Sequence, residues 1–208
     1  MHKIHKRKHY LNNMKKREKT RHEIIETAQK LFSERGRNNV TMGDIAKACN
    51  KSRRTIYNYF INTDFLYFAI IEDELEHMLS ELTSIANSVL PADKKLENFI
   101  LMHFRCIRKA TERNVSVRTS FYKNYEEIER ARRPIDFKEI RIIKQILTEG
   151  SMNGIFDIHD TQWFAMLILY AIKGIELPYL NHNIGTHLSE NFSSIMLRIF
   201  NGILRRRI

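Results

Sequence analysis

Apolar residues recur along most of this chain at intervals of three and four, the spacing of one face of an α-helix. Ile24, Ile25, Ala28, Leu31 and Phe32 form one such face and predict a helix over 17–35, closed by Gly36. Ile45 and Ala46 are the inward positions of a short helix over 42–48. Thr41 is its N-cap, with Asp44 three residues on in a near capping box. Ser52 caps a second short helix, 53–59. Between the two, Cys49, Asn50 and Lys51 leave a three-residue turn in which Asn can take a left-handed backbone. Asn62 or Thr63 caps the next helix. Longer helices are expected over 64–88, 93–112, 115–131, 136–149, 161–176 and 187–205. Pro91, Pro134, Gly150 and Pro178 mark the breaks. Residues 1–16 have few, unperiodic apolar positions and read as a flexible basic arm. Met14 is an alternative start, with 1–13 an upstream extension. With seven glycines and three prolines in 208 residues and no alternating strand pairs, the fold class is all-α.

Charge divides this helical chain in two. The net charge is +11, and residues 1–60 hold 16 Lys and Arg against five Asp and Glu, so the remaining chain is neutral. A basic head on a neutral body points to one domain that meets a polyanion and one that does not. Double-stranded DNA, RNA and an anionic membrane surface are the polyanions to weigh, and the helical character favours nucleic acid. Two cysteines, Cys49 and Cys106, exclude a disulfide scaffold, and no paired-cysteine zinc motif occurs. No run of 18 apolar residues suggests a membrane span, and no secretory leader is evident, so a cytoplasmic location is expected.

Two short capped helices across a three-residue turn form a helix-turn-helix. Its second helix fits the major groove, where Arg reads guanine, Asn reads adenine and Thr meets a thymine methyl. Here that helix carries Ser52, Arg53, Arg54, Thr55, Tyr57 and Asn58, with Ile56 turned into the core. The runs Thr41-Met42-Gly43-Asp44-Ile45-Ala46 and Ser52-Arg53-Arg54-Thr55-Ile56-Tyr57-Asn58-Tyr59-Phe60 resemble the TetR family of bacterial transcription regulators over about 20–72. The resemblance implies three domains. They are the arm at 1–16, a three-helix DNA-binding domain with its helix-turn-helix at 17–63, and a helical effector-binding and dimerisation domain at 64–208. It also implies that Thr41, Tyr57, Tyr59 and, more weakly, Thr63 hold phosphates while Arg53, Arg54, Thr55 and Asn58 face the groove. Lys16, Arg17, Lys19 and Arg21 would approach the backbone or the adjoining minor groove. Three features depart from the family pattern, at four positions: Asn50 and Lys51 replace a Gly–aliphatic pair in the turn, Arg54 replaces a small residue, and Thr63 replaces a lysine. Lys51 would add a phosphate contact, and Arg54 means that an operator sequence cannot be inherited by analogy.

The second domain holds the remaining candidates. Segment 161–176 is apolar nearly all round, so it must be covered on two sides. With the stripe at 187–205 it suggests a four-helix bundle with a twofold copy, which would give a homodimer. Candidate interface residues are Phe164, Leu167, Ile168, Leu188, Phe192, Ile195, Met196 and Ile199. An effector pocket would draw on Phe99, His103, Phe104, Phe121, Tyr122, Tyr125, Trp163, Met166 and Tyr170, a lining suited to a lipophilic or aromatic molecule. Each of these residues also reads as plain core, and His103 also as a satisfied core histidine. His2, His5 and His9 lack the supporting shell of a metal site. No catalytic or cofactor motif occurs, so neither an enzyme nor a cofactor is expected. The function that the resemblance implies is a DNA-binding, nucleoid-associated regulator, a repressor released by a small molecule. The alternatives are a ligand-independent architectural DNA-binding protein and, further off, an RNA binder.

Overall fold

A computed structural model describes residues 2–114, 117–119 and 125–180. Its regular elements are helices: α1 (His2–Arg35), a 3-10 turn (Arg37–Asn39), α2 (Met42–Ala48), α3 (Arg53–Tyr57), α4 (Thr63–Ala86), α5 (Ala92–Arg113), α6 (Tyr125–Met152) and α7 (Thr161–Leu180). They form two compact units. One comprises Met1–Glu72 with Arg113–Val117, and the other comprises Asp73–Glu112 with Arg118–Ile208.

The core of the first unit is built from the apolar face of α1. Ile24, Ile25, Ala28, Leu31 and Phe32 are buried together with Ile45, Ile56, Leu66 and Tyr67. Burying each large aliphatic side chain contributes about 1.5–3 kcal/mol. Gly36 ends α1 with a φ of 79°, a value that a side chain would strain. Arg37 then reaches Asp64 at 2.7 Å and lies 4.0 Å over the Tyr67 ring, which fixes the loop to α4.

The arm expected at 1–16 differs: α1 begins at His2 and runs unbroken through it. No Gly or Pro interrupts this stretch, and a helix anchored at one end by packing has already met its nucleation cost.

In the second unit α5 buries Leu96, Phe99, Ile100, His103, Phe104 and Ile107, the face expected from their spacing. Two expected breaks are absent. Pro134 lies inside α6, which merges the helices expected at 115–131 and 136–149. Pro134 and Arg130 are both exposed, so water can bond the carbonyl that the proline leaves free. Pro178 likewise lies inside α7. Gly150 does not end α6 either: a Cβ there would overlap the Phe156 ring. The stop is Gly154, with φ 68°, where Ile155 N donates to the Gly150 carbonyl at 2.8 Å and Gly154 N to that of Ser151 at 3.1 Å. This pair of bonds is a Schellman motif. Segment 187–205 lies outside the described residues.

Candidate nucleic-acid interface and a buried charged cluster

Short helices need strong ends, and α2 and α3 both have them. Thr41 Oγ1 accepts from Asp44 N at 3.2 Å, while Thr41 N donates to Asp44 Oδ2 at 2.9 Å, which completes the capping box. The Thr41 hydroxyl donates to the same carboxylate oxygen at 2.6 Å, and these bonds hold the Asp44 carboxyl below its ordinary pKa. At α3, Ser52 Oγ accepts from Thr55 N at 3.1 Å. The turn between them has Asn50 at φ 51°, and Lys51 N donates back to the Ala46 carbonyl at 2.9 Å. Asparagine tolerates this left-handed position better than most side chains do.

These ends fix the face that α3 presents. Ile56 is fully buried and anchors the helix, while Ser52, Arg53, Arg54, Tyr57 and Asn58 are exposed and Thr55 and Tyr59 half-buried. Arg53 lies back over Gly43, where a Cβ would meet its Nη2 at 2.9 Å, so α2 carries no side chain where the guanidinium rests. Lys51 Nζ is 3.3 Å from Glu23. Arg17 stacks 5.9 Å over the Tyr59 ring and Arg21 5.5 Å over that of Phe60. Asn13, Met14, Arg17, Glu18, Arg21 and Tyr59 line a groove of about 530 Å³. Lys16 is exposed, Thr41 lies at the start of α2, and Thr63 opens α4 behind the Asn62 cap, whose Oδ1 accepts from Phe65 N at 3.0 Å. The thirteen candidate positions thus gather around α2, α3 and the neighbouring part of α1. Cationic and hydrogen-bonding groups on a rigid two-helix frame suit a duplex, with α3 in a groove and the rest on phosphates.

The residues of α7 divide differently from the sequence expectation. Trp163 and Tyr170, expected to line a pocket, are 69% and 60% exposed and share a face with Leu167 at 62%. Ile168, expected at an interface, is 5% exposed and packs inward with Ala165, Leu169 and Ile172. Phe164 and Met166 are half-buried. Phe99, His103 and Phe104 are core. Phe121, Tyr122, Leu188, Phe192, Ile195, Met196 and Ile199 lie outside the described residues, as does the side chain of Tyr125, which opens α6.

A second cluster escapes the sequence reading. Within the second unit, His103 places Nδ1 2.9 Å from Glu139 and Nε2 2.7 Å from Glu176, all three side chains without solvent exposure. Arg132 meets the other oxygen of Glu176 at 2.5 Å, and Lys173 holds Glu129 at 2.9 Å and Asp136 at 2.6 Å. Burial alone would lower the His103 pKa, but the two glutamates outweigh it and raise it to about 9. Burial would raise that of Glu176, but Arg132 and His103 hold it down to about 2. Both ring nitrogens of a charged His103 therefore donate. Arg132 Nε and Nη2, Glu129 Oε1, Asp136 Oδ1 and Glu139 Oε1 are buried without a hydrogen bond. The available signal was Lys173 and Glu176 interrupting an apolar segment. These charges also bear on α7 as a whole. Its length and mean hydropathy of 1.3 would let it cross a bilayer, contrary to the sequence reading, yet both charges are paired inside the protein. Among the described residues, no group of three or more His, Cys, Asp or Glu side chains could hold a metal.

Comparison with known proteins agrees with this geometry. Residues 24–70 match the family model described as bacterial regulatory proteins, tetR family. An uncharacterized HTH-type transcriptional regulator of Mycobacterium tuberculosis is 35% identical over 74 residues, which is 35% of this chain and 37% of that protein. The match thus spans little more than a third of the relative's length. A TetR/AcrR-family regulator from Thermobifida fusca superposes with a TM-score of 0.61 at 25% identity, covering 75% of this chain and 83% of the other. The fatty acid degradation regulator FadR from Bacillus halodurans does so at 0.64 and 20% identity, covering 86% and 94%, a likeness of fold alone.

Proposed function

We propose, for a chain that belongs to the TetR family of bacterial regulatory proteins, that it acts as a transcriptional repressor, a cytoplasmic homodimer that reads a pseudo-palindromic operator and is released by a small-molecule effector. The observation that carries the reading is the capped α3, anchored by buried Ile56 and presenting Arg53, Arg54, Tyr57 and Asn58 to solvent. In this reading Arg53, Arg54, Thr55 and Asn58 contact base edges. Thr41, Lys51, Ser52, Tyr57, Tyr59, Thr63, Lys16, Arg17 and Arg21 position the head on phosphates. Lys51 would exchange Glu23 for a phosphate.

Dimerisation is supported by the exposed Trp163–Leu167–Tyr170 face of α7. Three large apolar side chains on one helix face favour burial against a second copy. Two copies of α3 then meet half-sites about 34–36 Å apart, or a multiple of that. The effector must bind one of two conformers more tightly, since only differential affinity shifts their populations. Phe99, Phe104 and Met166 remain candidates for its apolar contacts, and a lipophilic molecule suits them. Fatty acid degradation is what the Bacillus halodurans neighbour regulates, by its name, and that is said of that protein.

Binding-site selection from random duplex DNA at near-physiological salt tests the reading. An enriched pseudo-palindrome is the expected result. Salt-sensitive binding to every duplex without enrichment would replace it with the architectural role.

A further inference from the structure

We infer that residues 2–16 of α1 form a second DNA-contacting element, a basic helix that grips phosphates of the duplex flanking the half-site read by α3. The inference rests on the DNA-binding reading above and extends it outward from the helix-turn-helix.

Four observations carry it. First, α1 is one helix of 34 residues, but among its described side chains, from Leu11 on, Ile24 is the first that is buried in the core. Every described side chain from Leu11 to Lys19 is exposed, so none of them adds to the core. Secondly, the charge is one-sided. Lys3, Lys6, Arg7, Lys8, Lys15 and Lys16 are met by no acidic residue before Glu18. Like charges three and four apart, as at 3, 6 and 7, destabilise a free helix, and a polyanion relieves that repulsion.

Thirdly, the root of this extension is tied beside the reading helix. Arg17 stacks on Tyr59 and Arg21 on Phe60, just past the C-terminal end of α3. Fourthly, helical spacing brings the far cations into that register. Positions 3 and 21 are five full turns of the helical backbone apart and positions 6 and 17 about three, so the repeat returns to the same register there. At 1.5 Å per residue the helix continues for roughly 22 Å beyond Arg17. That spans about six base pairs at 3.4 Å each. An anionic bilayer is the weaker partner: the stretch lacks the apolar face that holds a helix in a membrane interface.

The test compares three proteins: the full chain, a chain starting at Met14, and the full chain with Lys3→Gln, Lys6→Gln, Arg7→Gln and Lys8→Gln. Each is titrated at several salt concentrations with the selected operator, once trimmed to its half-sites and once carrying about eight flanking base pairs on either side. On the flanked duplex both variants are expected to bind about 10–100-fold more weakly. Their salt slopes should be shallower by about 0.9 for each phosphate that the variant no longer neutralises. On the trimmed duplex all three should bind alike, with the same sequence preference. The glutamine variant keeps the helix and so isolates charge.

Equal affinities and slopes on both duplexes overturn the inference and leave the regulator reading standing. So does a full chain that differs from its variants only in binding vesicles of anionic phospholipid. If the full chain selects no sequence at all, the regulator reading fails and the inference falls with it.

Discussion

His103 and Glu176 are joined by a 2.7 Å hydrogen bond between side chains that no solvent reaches. The imidazolium is held between Glu176 and Glu139, and its pKa is raised from 6.5 to about 9. Stability from this charge is complete below about pH 6.5 and is lost as pH rises through about 9. Glu176 acts in the opposite sense. Its pKa is lowered from 4.5 to about 2, so its contribution is complete above about pH 4.5 and is lost as pH falls toward 2. Urea midpoints measured from pH 5 to 10 should fall above pH 6.5, and His103→Leu should remove that limb. The substitution removes the imidazole donor from buried Glu139 and Glu176, the latter keeping Arg132, and should cost about 3–5 kcal/mol. Identical alkaline profiles in the two proteins would show that His103 is not the titrating group.

Glycine to alanine inside a helix ordinarily stabilises by about 0.5–1 kcal/mol. Gly150→Ala should do the reverse, because the new methyl would overlap the Phe156 ring and stand 3.0 Å from Ala92 Cβ. Overpacking of this kind costs about 1–3 kcal/mol. Thermal melts decide it, and a raised Tm would mean that Phe156 moves aside freely.

Arg54→Ala should weaken operator binding by about 1–3 kcal/mol and relax preference at one base step. Lys51→Ala should weaken all sequences alike and make the salt dependence shallower by about one in slope. Repeating the site selection with each variant separates the two roles. An unchanged preference with Arg54→Ala would move that residue to the phosphates.

Leu167→Asp and Ile168→Asp, neighbours in sequence, should have opposite consequences. Leu167 is exposed on the open face of α7, so aspartate there should leave a folded monomer, visible by sedimentation velocity. Ile168 is in the core, so aspartate there should lower Tm steeply or abolish folding. A Leu167→Asp protein that still sediments as a dimer would place the interface elsewhere.

The reading head was legible because its signals are local. A cap must sit within three residues of the amide that it satisfies, so Thr41, Asp44 and Ser52 announce α2 and α3 in one dimension. Asn50 does the same for the turn between them. The breaks at Pro134 and Pro178 misled because a proline's cost depends on its surroundings. At Pro134 the turn that carries the freed carbonyl is exposed, and no sequence window shows that exposure. The buried cluster was invisible for a related reason. Glu139 lies 36 residues from His103, and Glu176 lies 73. Arg132 and Glu139 by themselves look like solvated positions on an amphipathic helix, and only the packing of α5, α6 and α7 brings them to His103 and Glu176. On α7, periodicity marked an all-apolar helix but could not say which face its own unit would leave open.

The first place where the chain passes from one unit to the other is not a loop. It falls between Glu72 and Asp73, inside α4, a helix that runs unbroken from Thr63 to Ala86. A protease needs several residues of extended chain in its cleft, and here each backbone amide is held by the turn before it. Trypsin or Glu-C, at doses that cut exposed loops, should therefore leave this joint intact. Nicking the chain at this crossing is therefore not a route to a separately prepared reading head.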